Sequence, residues 1–159
     1  MSEPLRIIIL VLAGACGTIG ISLSTGLEKK LLPLSAISAA IACLVYEFTF
    51  MELRILILAA LFASAAVAVY AYFIACFCKI PVTIMIIAGI IPLVPGGKLY
   101  YAMLGAVRSD MAAFSMYAKQ ALIIAAGIAI GIIAATAISR TVIARYKSLI
   151  GSLQQKNNK

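Results

Sequence analysis

Residues 92–98 read Pro-Leu-Val-Pro-Gly-Gly-Lys, and they interrupt a stretch that is apolar from Val82 to Ile91 and again from Leu99 to Val107. Each proline removes a backbone donor and clashes with the preceding turn, and the glycine pair lets the chain bend or reverse. The segment is therefore expected to be two half-helices joined by unwound backbone. In lipid, unpaired N–H and C=O groups cost several kcal/mol each, so such backbone must be buried in protein or line a wet cavity. The second half-helix starts near Gly96 or Gly97. Its first amides are free and its end carries partial positive charge, which suits a carboxylate or a phosphate. The first half-helix ends near Ile91 with free carbonyls that suit a cation or an ammonium. A small zwitterion offers both groups, and discontinuous helices hold such ligands near the membrane midplane. The candidate binding residues are Pro92, Pro95, Gly96, Gly97, Lys98 and Tyr100.

Lys98 strengthens the anion reading, because a lysine between apolar half-helices is costly unless paired or hydrated. The alternative is snorkelling, in which the stem carries the ammonium to an interface. Tyr100 and Tyr101 each offer a hydroxyl, or else pack with one satisfied hydrogen bond. Gly96-Gly97-Lys98 is not a nucleotide loop: Leu99 follows where a Ser or Thr is needed, and the spaced earlier glycine is missing. Glu47, Glu52 and Asp110 are the remaining acidic candidates. Glu47 lies nearest the apolar core and is the candidate for proton coupling, with a solvated helix end as the alternative. The chain has no histidine, which removes most acid–base and metal chemistry. Cys16, Cys43, Cys76 and Cys78 form no C-x-x-C pair and read as packing residues. No catalytic residue, metal or cofactor is expected, and the chain is not read as an enzyme.

The elements that must position these residues follow from composition. The chain has 159 residues, 65% hydrophobic and 11% charged, with mean hydropathy +1.16. A soluble domain is about 25% charged. At about 20 residues per crossing, the expected fold class is an all-α integral membrane protein of about five transmembrane helices, the fourth broken at Pro92–Gly97 into two half-helices. Spans are expected near Leu5–Leu23, Leu31–Phe48, Ile55–Phe77, Val82–Val107 and Ala112–Ile138. Residues 1–145 form a single transmembrane helical domain, and 146–159 form a basic polar tail that frays. Arg6 before an apolar run and Ala13-Gly14-Ala15-Cys16 hint at a lipoprotein cleavage site. Ala13 stands where Leu is usual, however, and the segment reads as a retained first span.

Small residues four apart mark helix-packing faces. Gly14, Thr18 and Ser22 form one, and Gly127, Gly131, Ala135 and Ser139 another, against this chain or a second copy in a homo-oligomer. The net charge of +8 sits at segment ends, as positive-inside topology and anionic membrane lipid require; nucleic acid is not an expected partner. With five crossings, Arg6, Arg54, Arg108 and Lys119 fall on one face. Lys29, Lys30, Lys79 and the basic tail fall on the other, so the C-terminus is expected in the cytoplasm.

Residues Ala88 to Val107, AGIIPLVPGGKLYYAMLGAV, resemble the signature of the threonine/serine exporter family, small-subunit or C-terminal-domain type. The resemblance rests on Ile91-Pro92, Pro95-Gly96, Tyr100 and Ala102-Met103, and extends loosely over most of the chain. It implies one part of a two-part secondary exporter in the bacterial cytoplasmic (inner) membrane, partnered by a larger subunit. The implied small-molecule substrate is threonine or serine, or a dicarboxylate such as succinate. Lys98 departs from the pattern, where a small or neutral residue is expected, and its fixed charge favours a dianion over a zwitterion. A structural subunit that docks a transporter without touching substrate is the alternative.

Overall fold

The computed structural model describes residues 3–24, 26 and 28–157, with side chains described from residue 5 to residue 141 of these. Six α-helices account for most of them: α1 (Glu3–Ser24), α2 (Leu32–Leu53), α3 (Leu56–Cys78), α4 (Val82–Ile90), α5 (Gly96–Val107) and α6 (Met111–Asn157). Short 3-10 turns, Lys29–Leu31 and Ile91–Leu93, precede α2 and follow α4. No strand occurs among the described residues. α1, α2, α3 and the Met111–Thr141 part of α6 are each long and apolar enough to cross a membrane, and α4 with its 3-10 turn forms with α5 a pair bent by 53°.

The helix ends follow local chemistry. Pro33 occupies the first turn of α2, where its missing N–H costs nothing. α2 runs past the expected Phe48 and takes in both Glu47 and Glu52, because Phe48, Phe50, Met51 and Leu53 keep it apolar. It stops where Arg54 turns left-handed (φ 55°) and donates its N–H to the Phe50 carbonyl at 3.0 Å. Lys79 ends α3 in the same way (φ 54°). Both are cations placed against the negative end of a helix dipole. Between α5 and α6, Ser109 is left-handed (φ 58°), and Asp110 caps α6 by accepting the Ala113 N–H on Oδ1 at 3.0 Å. α6 continues as helix through the expected tail to Asn157. The tail's basic side chains, from Arg145 to Lys156, lie outside the described side chains, and Lys159 outside the described residues.

α3 is the central helix, packed by α2, α4 and α6. Its buried face is Ala59, Ala60, Ala63, Ser64, Val67, Ala68 and Ala71, side chains small enough for neighbouring backbones to approach closely. A Cβ on Gly127 would lie 2.6 Å from the Ile57 carbonyl oxygen; one on Gly131 would meet the Leu61 carbonyl and the Ser64 hydroxyl. Both numbers rise together, 127 with 57 and 131 with 61, so α3 and α6 run parallel. The chain between the end of α3 and the start of α6 must therefore pass from one end of the bundle to the other. The bent α4–α5 pair makes that passage and is a broken span, giving five crossings.

Candidate functional site

The break is built by prolines. α4 ends at Ile90 and tightens into the 3-10 turn Ile91–Leu93. Pro92 has no N–H to continue the ladder. Val94 then leaves helical geometry (φ −58°, ψ 127°) and Pro95 follows at φ −77°, ψ 50°. The Val94 N–H reaches the Ile91 carbonyl at 3.3 Å, the Gly96 N–H the Val94 carbonyl at 2.7 Å, and the Leu99 N–H the Pro95 carbonyl at 3.0 Å. Among the described residues, the Gly97 and Lys98 amides have no backbone acceptor. They are the free first-turn donors of α5, at its positive end.

Gly96 and Gly97 play a different part from the one their type suggests. Neither has a positive φ, so they do not bend the chain; they open α5. Both are exposed, and a Cβ on either would meet nothing within 4 Å. What they contribute is the absence of a side chain in front of bare amides.

Depth is set by Gly14. A Cβ there would lie 2.8 Å from Cys43 Sγ and 3.3 Å from Pro92 Cβ, so α1, α2 and the break meet at this point. Gly14 lies midway along the span Leu5–Ser24, which puts Pro92 near the middle of the bundle. Thr18 and Ser22, on the same stripe of α1, are also buried. Ser22 lies 3.4 Å from Ser35 of α2, hydroxyl to hydroxyl. The Thr18 hydroxyl is among the buried polar atoms without a hydrogen-bond partner.

A cavity of about 580 Å³ opens at the break, lined by Tyr46 of α2, Pro92 to Lys98, Tyr101 of α5, and Tyr117 and Ile124 of α6. The Lys98 ammonium lies 5.6 Å from the centre of the Tyr117 ring. That ring is 5.4 Å from Tyr101, tilted by 31°, and Tyr101 is 5.4 Å from Tyr100 edge-on. Among the described residues the ion pair is Arg6–Glu47, at 4.0 Å, and Lys98 is paired with no carboxylate there. A second cavity of about 340 Å³ lies between the end of α1, Leu31 and α4, and Ile91 also lines it.

Of the residues singled out from sequence, Pro92, Pro95, Gly96, Gly97 and Lys98 come together around one cavity. Tyr100 does not line it and is 64% exposed, being about 200° round the helix from Lys98. Glu47 lies in a separate recess with Arg6, Phe50, Met51 and Arg54. Tyr46 and Tyr117 were not picked out by sequence reasoning. The three-residue connection 108–110 was the available signal for Tyr117: folding α5 back on α6 across so short a hinge brings Tyr101 opposite it. All four cysteines are free thiols, and Cys43 alone is partly buried.

Comparison with known proteins adds one match. A family model described as Threonine/Serine exporter, ThrE matches residues 10–138, which take in α2, α3, the whole break and most of the first and last spans. No curated protein and no solved structure matches.

Proposed function

This chain belongs to the threonine/serine exporter family, a family of membrane transporters, and from that premise we propose that it is the small subunit of a two-part secondary exporter of carboxylate-bearing metabolites. Threonine and serine lead, with a dicarboxylate such as succinate as the other substrate that Lys98 would favour. The substrate carboxylate is held by the Gly97 and Lys98 amides and the Lys98 ammonium, with Pro92, Pro95 and Gly96 shaping the cavity and Tyr100 outside it. Access alternates around the break. Glu47, half-buried at the α1–α2 contact beside Arg6, carries the coupling proton.

The observation that carries this reading is the exposure of Gly96 and Gly97 beside two amides without backbone acceptors, near mid-span depth. Polar backbone at that depth cannot face lipid. A larger subunit covering this side of α4 and α5 satisfies it, and the cavity then lies between the two proteins. The proposed setting is the bacterial cytoplasmic membrane, and the excess of Lys and Arg on the tail's face supports a cytoplasmic C-terminus.

The test is efflux of labelled serine, threonine and succinate from cells lacking their own exporters. The chain is expressed alone and with a large subunit of the family, as wild type and as Gly96→Leu, with both proteins' membrane levels measured. Efflux that needs both chains and is lost with Gly96→Leu is the expected result. Efflux unchanged by Gly96→Leu moves the chain to a structural role that docks a partner without touching substrate.

A further inference from the structure

Tyr117 stands on α6 six positions past its first residue, Met111, half-buried and with no assigned role. Gly105 brings α5 against this part of α6, because a Cβ there would lie 2.7 Å from the Phe114 amide nitrogen. Counting away from that contact on both helices carries Tyr101 and then Lys98 to the stretch around Tyr117.

A lysine on a half-helix inside a membrane has two stable solutions, a counter-charge or escape of its head to an interface. Among the described residues no carboxylate pairs with Lys98. Its ammonium instead lies 5.6 Å from the Tyr117 ring centre, inside the roughly 6 Å over which an aromatic face attracts a cation. The ring is braced by Tyr101 at 5.4 Å. Lys98, Tyr101 and Tyr117 all line the cavity that contains the bare α5 amides.

We propose that Tyr117 is a positioning residue for substrate: its ring seats the Lys98 ammonium in the cavity beside the free amides of Gly97 and Lys98. This rests on the reading that Lys98 meets the substrate carboxylate. The seat has a consequence for specificity. A carboxylate entering the cavity meets a fixed cation and two donors together. A ligand ammonium meets a like charge already occupying the aromatic face that would otherwise attract it.

Two measurements test the seat. In the first, the lysines of the purified full chain are converted to ¹³C-dimethyl-lysine, which keeps the charge, and the Lys98 methyl signal is identified by its loss in Lys98→Arg. An upfield ring-current shift that survives Tyr117→Phe and disappears in Tyr117→Leu is expected. A Lys98 signal that Tyr117→Leu leaves in place overturns the proposal, whatever the chain transports. In the second, KM for efflux of threonine, serine and succinate is measured for the two-chain complex carrying Tyr117→Phe, Tyr117→Leu, Lys98→Met and the Leu/Met double variant. Tyr117→Leu should raise KM by about 3- to 30-fold with kcat retained, Tyr117→Phe should stay near wild type, and Tyr117→Leu should add nothing in the Lys98→Met background. An equal rise in both backgrounds, or a loss in Tyr117→Phe equal to that in Tyr117→Leu, refutes the positioning role. If the methyl shift behaves as expected while Lys98→Met leaves every KM unchanged, the seat exists but the substrate reading fails, and the positioning role fails with it.

Discussion

An alanine scan of the three glycines of α1 should separate them by sign. Alanine is about 0.5–1 kcal/mol better than glycine inside a helix, and a Cβ on Gly17 or Gly20 would meet nothing within 4 Å. Gly17→Ala and Gly20→Ala should therefore stabilise the chain by about that amount. Gly14 is different, because its Cβ would lie 2.8 Å from Cys43 Sγ and 3.3 Å from Pro92 Cβ. Unstrained contacts sit near 3.5–4.0 Å, so the sulfur must retreat by about 1 Å against a proline ring that cannot turn aside. Overpacking of this kind costs about 1–3 kcal/mol. Against the helix gain, Gly14→Ala should lose about 1–2 kcal/mol, a 5- to 30-fold shift towards the unfolded chain. Cys43→Ala removes the sulfur, so the double variant should recover much of the loss, with a coupling energy of about 1 kcal/mol. Reversible unfolding of the purified chain in mixed detergent micelles measures the wild type and the five variants. If Gly14→Ala gains stability as Gly17→Ala does, the meeting of α1, α2 and the break at Gly14 is wrong.

Three further variants test the same geometry. Gly131→Ala should cost about 2 kcal/mol or more in that assay, and adding Ser64→Ala should not restore it, because the Leu61 carbonyl also occupies the space. Asp110→Ala removes the acceptor of the Ala113 N–H at 3.0 Å and should lower stability by about 0.5–2 kcal/mol, seen as a lower unfolding midpoint. Glu47→Gln should change stability by less than about 1 kcal/mol, since its 4.0 Å partner Arg6 is 55% exposed and such pairs contribute little. In vesicles, the proposed coupling role predicts that Glu47→Gln abolishes efflux driven by a pH gradient while substrate exchange without a gradient continues.

Much of this architecture was legible in the sequence, because membrane spans declare themselves by length and hydropathy and prolines punctuate them. The break at Pro92 and Pro95 was readable because a missing donor has the same consequence in any helix. What the glycines do there was not, since glycine type alone does not distinguish a bend from a bare helix end. The end of α2 was misplaced because Glu47 and Glu52 look like a boundary on a hydropathy scale, whereas a charge at a helix end is tolerated beside Arg6 and Arg54. Gly127 and Gly131 announced a close approach but not its partner, and only the parallel register with Ile57 and Leu61 shows that the partner is α3 of the same chain. The aromatic wall of the cavity depends on which faces of α2, α5 and α6 converge. That is a tertiary property, and it leaves Tyr100 outside and brings Tyr46 and Tyr117 in.

The proposed transport role stands or falls on substrate binding at the opening of α5. Gly97→Cys tests it most directly, because a side chain there has open space and an ordinary helical backbone. In the reconstituted two-chain complex, with the four native cysteines replaced, the rate at which a water-soluble maleimide labels this residue is followed against substrate concentration. The transported substrate should slow labelling, with half-protection near its KM, and a non-transported analogue should not. A labelling rate indifferent to saturating substrate, in a complex that still transports it, would place the binding site elsewhere.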